Sequence, residues 1–334
     1  MSLFIRHPGL LTTVQDLGRT GYQKDGIVVS GAMDAPALRV ANLLVGNAEN
    51  TAGLEITLRG PRIRFDADHL IALTGAQLSP TLNGQPGAQN RLVWVAAGTE
   101  LAFGAPAAGT RAYLAVAGGL AITPVLGSQS TYLRAGFGGW HGRALQPGDR
   151  LPTNAPTLLS QQLGQALAGR APQAAWVQAG WTPGPALCPA PRPAPVIRAI
   201  AGPEYEQFSS VSQRAFWAQP FVVSPEADRM GYRLQGSALE RKTQTELLSG
   251  AVTFGTVQVP AGGQAIVLLA DHQTTGGYPR LAQVITADFP ALAQARPGQA
   301  LRFQQVSLAE AQALYLVQER RLLALKRAVA FKVR

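Results

Sequence analysis

Cysteine is almost missing from this chain. The single Cys188 among 334 residues rules out an internal disulfide and any cysteine metal cluster. Such thrift fits a reducing compartment, and a cytoplasmic protein is the expectation. Histidine is scarce as well: His7, His69, His141 and His272 stand in no paired metal-ligand spacing, so each reads as a surface or packed residue. No run of about 18 apolar residues exists, so no helical membrane span is expected. Met1 to His7 lacks the long apolar core of a signal peptide. No Gly-x-Ser-x-Gly elbow occurs, and Cys188 lies in a Pro-rich stretch that would position a thiolate poorly. The nearest approach to a phosphate loop, Gly236 through Arg241-Lys242-Thr243, has arginine where the second glycine is needed, so backbone N–H groups could not wrap a phosphate there. Gly136-x-Gly138 has neither a strand before it nor a helix after it, as a dinucleotide fingerprint requires.

Charged residues make up only 14% of the chain, and acids are the scarcer sign, leaving a net charge of +10. The excess is spread along the sequence and densest in a tail of Arg320, Arg321, Lys326, Arg327, Lys332 and Arg334. Aromatics do not interleave with these cations, and no nucleic-acid-binding signature is present, so no nucleic-acid partner is expected. Basic residues at the end of a helix also suit its negative dipole end.

What the chain does have is apolar residues at 46%, with 36 glycines and 24 prolines. Together these point to a strand-rich protein with many turns and enough apolar surface for more than one core. Asp34 reads as an N-cap, with Pro36 in the first turn and Leu38, Ala41 and Val45 on one face of a helix that Gly46-Asn47 ends. Alternation in Leu54 to Leu58 predicts a half-buried strand with Glu55 and Thr57 outward. Asn83-Gly84 marks a hairpin. Residues 1–152 read as a first β-domain, a barrel or sandwich with one helix. Residues 153–195, rich in Ala, Pro and Gln, read as a linker with room for a short helix near Leu158 to Leu167. Residues 196–306 read as a second mainly-β domain. Residues 307–334 read as a helix and basic tail, opened by a Ser307/Glu310 capping box with an apolar stripe of Leu308, Ala311, Tyr315 and Leu322. Gln146-Pro147-Gly148-Asp149-Arg150-Leu151 is echoed by Arg296-Pro297-Gly298-Gln299-Ala300-Leu301, a faint sign that the two domains are related.

One stretch carries more polar chemistry than a turn needs: Asp271-His272-Gln273-Thr274-Thr275-Gly276-Gly277-Tyr278-Pro279, between strand candidates Ala265 to Ala270 and Leu281 to Ile285. Gly276-Gly277 offers backbone N–H groups to an anion or developing oxyanion. Gln273, Thr274 and Thr275 suit a planar amide or carboxylate, and Tyr278 supplies a phenol. Asp271 or His272 would move protons if suitably tuned. Arg229 and Arg233 flank Met230-Gly231-Tyr232, where a strand would place both guanidinium groups on one side to clamp an anion. Gln15, Asp16, Ser30, Met33 and Asp34 gather around turns in the first half.

Several further stretches carry a pattern in order along the chain: Pro8 to Arg19, Val29-Ser30-Gly31-Ala32-Met33-Asp34, Ala41 to Asn47, Leu73 to Ala76 and Tyr113 to Gly119. It continues through Gly127-Ser128-x-Ser130-Thr131-Tyr132, Asp228 to Leu234 and Gln273 to Pro279. In these stretches the chain resembles the KipA family, also described as the C subunit of 5-oxoprolinase or as allophanate hydrolase subunit 2. The resemblance implies two cyclophilin-like β-barrel domains and a shared activity: the ATP-dependent opening of 5-oxo-L-proline to L-glutamate. The partners it implies are similar to the KipI-like B subunit and the A subunit of a 5-oxoprolinase. Together with the loop's residue types, it makes Asp271, Thr274 and Tyr278 the expected catalytic residues. Gln273, Thr275, Gly276, Gly277, Arg229, Tyr232, Arg233, Ser30 and Met33 would bind substrate. ATP would be used by the complex. Two further readings come with the resemblance: a carboxyltransferase using biotin borne on a separate carrier, and a regulatory protein that holds a kinase-inhibitor homologue. The chain departs from the family pattern at Ser249-Gly250-Ala251, where Ser-Glu-Gly is expected, and at His272, where arginine is expected.

Overall fold

A computed structural model describes residues 1–243 and 247–332; Arg334 of the basic tail lies outside them. The chain is mainly β and divides into two compact units. The first takes residues 1–18, 34–190 and 319–334, and the second takes residues 19–33 and 191–318. The boundaries differ from those expected. Residues 153–190 carry regular structure and group with the first unit. Helix Leu158–Ala168 is capped by Thr157 and buries Leu163 and Leu167, and strand Trp176–Gln178 pairs with Leu92–Val95. A composition rich in Ala and Pro resembles a linker, yet a few leucines at helical spacing are enough to dock a helix.

The first unit holds two six-stranded sheets, largely antiparallel, around a core that includes Leu3, Ile5, Leu54, Ile56, Ile63 and Leu114. Helix Ala35–Leu44 begins as expected, with the Asp34 carboxylate accepting from the Ala37 N–H at 3.0 Å, and it buries Leu38 and Ala41 completely. The Asn83-Gly84 turn joins Pro80–Leu82 to Gln85–Pro86, both turn residues having positive φ. Strand Gly53–Thr57 breaks the predicted alternation: Glu55 is buried, because it accepts a 2.8 Å hydrogen bond from the Tyr113 hydroxyl, which in turn accepts from the Asp34 N–H. A polar side chain is tolerated in a core when its partners are built in.

The second unit is a closed seven-stranded barrel. Its order is Val196–Ala201, Arg280–Val284, Thr256–Gln258, Ile266–Leu268, Gly231–Gln235, Pro220–Val223 and Ala300–Gln305. Phe216, Phe221, Phe303, Val257 and Leu281 fill its core. Met33, from the short N-terminal segment that belongs to this unit, is part of the same cluster.

The sequence echo has a structural counterpart. In each unit the N–H of the turn's first residue donates to a side-chain oxygen: Gln146 to Asp149 at 2.7 Å, and Arg296 to Gln299 at 2.9 Å. In each, the fourth residue's N–H returns to the first carbonyl, at 3.2 and 3.0 Å. Gly148 and Gly298 both have positive φ, and a strand follows each turn. The Ser307/Glu310 capping box forms in full ahead of helix Leu308–Phe331. Of its expected apolar stripe, Leu322 is buried whereas Leu308 and Tyr315 are exposed.

Candidate functional site

The strands flanking residues 271–279 are not neighbours. Ile266–Leu268 and Arg280–Val284 lie on either side of Thr256–Gln258, which pairs with both. The connection is therefore a crossover rather than a hairpin, passing over the strand that carries Gln258. Contacts along its length hold it. Thr275–Gly276 pairs with Gly250–Ala251 in a two-stranded ladder. Pro279 accepts from the Val259 N–H at 3.0 Å. Arg280, just beyond, makes a forked pair with Glu204 at 2.7 and 2.9 Å. That fork holds the Glu204 carboxyl below the usual range and raises the Arg280 guanidinium. The Ser249-Gly250-Ala251 departure thus falls on the supporting ladder.

Asp271 is buried at the start of the crossover. One carboxylate oxygen accepts from the Ser30 hydroxyl at 2.7 Å and from Arg229 Nη2 at 3.0 Å, and the other accepts from Arg229 Nε at 2.9 Å. Arg229 Nη2 also donates to the Gly31 carbonyl at 2.6 Å. Ser30 has φ 58, a left-handed conformation uncommon outside glycine, and the network holds it there. These contacts alter the expected roles of five residues. Asp271 is engaged by an ion pair and a hydroxyl, which anchor the start of the loop. Arg229 is its partner and not half of an exposed clamp. Arg233 is exposed and pairs with Glu226 at 3.3 Å. The pair separates because Arg229 precedes strand Gly231–Gln235 rather than standing in it, so alternation does not govern its direction. Tyr232 and Met33 are 2% and 1% exposed and belong to the barrel core.

The remaining candidates stay at the surface of the loop. Gln273 and Thr274 are half-buried, Thr275 and Gly277 exposed, and Tyr278 is 51% exposed. His272 is buried, and its Nδ1 lies 2.5 Å from the Gln273 carbonyl. A carbonyl only accepts, so Nδ1 carries the proton. Burial pushes the imidazole below the usual histidine range and keeps it neutral near pH 7, which leaves Nε2 its lone pair. Of the two protic candidates, His272 therefore has the base-competent atom. Gln258, which no sequence pattern singled out, is fully buried and directs Nε2 toward the Tyr278 carbonyl at 3.5 Å. A Cβ added to Gly276 would come within 2.5 Å of that nitrogen, so a larger residue there would have to displace the Gln258 amide. No local signal marks Gln258, because its burial is set by the strands on either side.

Within the first unit, Asp16 gathers a second polar cluster. Its carboxylate accepts from the Gly18 N–H at 2.8 Å, the Gln129 N–H at 2.6 Å, and the hydroxyls of Ser128 and Ser130 at 2.6 and 2.5 Å. This ties the Asp16 turn to residues 128–130, joining two of the stretches on which the family resemblance rests. Cys188 is half-buried among apolar neighbours, and burial pushes its thiol up to about 12, the opposite of an activated nucleophile. No described helix is long and apolar enough to cross a membrane.

A family model for the carboxyltransferase domain, subdomain A and B, matches residues 25–305. The chain is 45% identical to the C subunit of the Escherichia coli 5-oxoprolinase over 318 residues, covering 92% of this chain and 93% of that protein. Identity to the C subunit of the Haemophilus influenzae 5-oxoprolinase is 42% over 316 residues, covering 93% and 95%. The fold superposes on the crystal structure of Kluyveromyces lactis urea carboxylase with a TM-score of 0.86 at 28% identity, covering 97% of this chain but 29% of that much longer one. With the family model spanning most of its length and the C subunits of two 5-oxoprolinases matching it nearly end to end, this chain belongs to the carboxyltransferase domain, subdomain A and B, family.

Proposed function

We propose that this chain is one component of a 5-oxoprolinase that opens the lactam of 5-oxo-L-proline to L-glutamate, working with partners similar to the A and B subunits of such enzymes. The observation that carries this reading is the near end-to-end identity of 45% with the C subunit of the E. coli 5-oxoprolinase. ATP is consumed by the complex and supplies the activation that a resonance-stabilised amide needs. No phosphate loop is assigned to this chain: at the nearest approach, Arg241 bridges to Phe208 and its Nη2 donates to Gln207 Oε1 at 2.8 Å.

In this proposal the crossover loop reads the planar ring amide. Gln273 offers a complementary amide, and Thr274 and Thr275 offer hydroxyls. The Gly277 N–H, just past the supporting ladder, faces the developing negative charge on the carbonyl oxygen. His272 Nε2 takes the proton from attacking water, and the Tyr278 phenol donates toward the departing ring nitrogen. Asp271, Arg229 and Ser30 set the loop's entry and exchange no proton. Exposure of Tyr278 is consistent with a site that closes only in the complex.

The test is to purify the chain with both partners and measure glutamate released from 5-oxo-L-proline and ATP. A complex that forms and releases none overturns the reading. The family model and the likeness to urea carboxylase favour a second one, carboxyl transfer from biotin on a separate carrier. It predicts turnover that requires bicarbonate and a biotinylated carrier.

A further inference from the structure

An open groove of about 880 Å³ lies on the first unit, not on the one that carries the crossover loop. Arg6, His7, Arg59, Arg62 and Phe103 line it, along with the backbone of residues 9–10 and 104–106. Its wall is built by close backbone approach. A Cβ at Gly9 would sit 2.3 Å from the Arg59 carbonyl oxygen, and one at Gly60 would sit 2.3 Å from the Phe103 ring. Leu58 has φ 57, a left-handed conformation costly for a branched apolar residue, and Arg59 comes directly after it. The Leu10 N–H donates to the Arg59 carbonyl at 2.9 Å, fixing that turn. Arg59 and Arg62 are both exposed, and among the described residues no carboxylate pairs with either. Arg6 is paired with Glu100 at 3.2 Å. Two uncompensated guanidinium groups thus face one groove, on backbone that carries strain to present one of them.

We infer that this groove is a binding site for the phosphate chain of a small molecule, with Arg59 and Arg62 as its principal contacts. Guanidinium groups match phosphate oxygens with two parallel N–H donors. The volume lies in the range of small-ligand clefts, and a small anion is the occupant tested, with an acidic peptide as the alternative outcome. The inference does not rest on the lactam reading, since the groove takes no part in the chemistry assigned to residues 271–279.

The test is calorimetric titration of the full chain with tripolyphosphate, and separately with ATP, at about 150 mM salt, where surface charges are largely screened. Wild type is compared with R59A/R62A and with Arg170→Ala, an exposed arginine of the same unit outside the groove. Saturable binding that weakens about tenfold or more in the double variant, while Arg170→Ala stays within about twofold, is the expected result. Tighter binding of ATP names a nucleotide as the source of the phosphate chain, and tighter binding of tripolyphosphate names free polyphosphate. The inference is overturned if no saturable binding is seen, if R59A/R62A weakens it by less than about tenfold, if Arg170→Ala weakens it as much, or if a hexaglutamate peptide binds as tightly as tripolyphosphate. Thermal unfolding of each variant checks that the fold is unchanged.

Discussion

Asp271 and Tyr278 stand seven positions apart and carry opposite burdens. Asp271 is buried with Arg229, and removing one member of a buried ion pair leaves the other charged and desolvated. Asp271→Ala is expected to lower the unfolding free energy by about 3–5 kcal/mol, read by urea titration. Tyr278→Phe deletes one hydroxyl from a half-exposed ring, so its stability should stay within about 0.5 kcal/mol of wild type. Glutamate release by the assembled complex should nonetheless fall. Unchanged turnover in Tyr278→Phe would remove the phenol from the mechanism, and a stable Asp271→Ala would show that the strut is dispensable. Residue types made this loop conspicuous in the sequence, but they could not tell which of its polar groups face inward. Asp271 is bound by a hydroxyl from far upstream in the chain, and no local pattern reports such a partner.

At the scale of elements, the matched turns at 146–149 and 296–299 show what short-range signals convey. Pro-Gly at equivalent places made the echo visible in the sequence, and each turn it marks is closed by a side-chain acceptor three residues after the turn's first. Gly148 and Gly298 have positive φ, and nothing lies within 4 Å of the point where a Cβ would stand at either. Alanine there would meet backbone strain alone. Gly148→Ala and Gly298→Ala should each cost about 1–2 kcal/mol, measured as a fall in denaturant midpoint. A loss much beyond that range in either would point to a packing role. The Asp34 cap, the Asn83-Gly84 hairpin and the Ser307 capping box were legible for the same reason: each is decided within about four residues. The crossover at 271–279 was not, because a hairpin and a crossover begin and end in the same kinds of residue. Only the pairing of Thr256–Gln258 with strands on both sides separates the two.

For the molecule as a whole, stability against acid is set in part by His69. It is buried in strand His69–Gln77, and desolvation lowers its pKa to about 4, below the 6.5 of an unfolded chain. The unfolded state therefore takes up the proton first. Stability from this group is complete above pH 6.5 and is lost as pH falls toward 4. Across that window wild type should lose up to about 1.4 kcal/mol per pH unit more than His69→Gln, followed by urea unfolding at a series of pH values. Parallel profiles would show that the imidazole does not stay neutral in the fold.

Residue order alone fixes a strand-rich chain with two β-units, its helix starts and tight turns, and the loop in which polar chemistry concentrates. These follow from periodicity, from backbone restrictions on Gly and Pro, and from residue types, all of which act over a few positions. The folded arrangement was needed to assign residues 19–33 to the barrel unit and residues 319–334 to the other. It was needed too for Met33 and Tyr232 as core, for Asp271 as a strut, and for the groove that Arg59 and Arg62 share. Each of those depends on partners distant in sequence, and burial and pairing of that kind arise only when the chain brings those partners together.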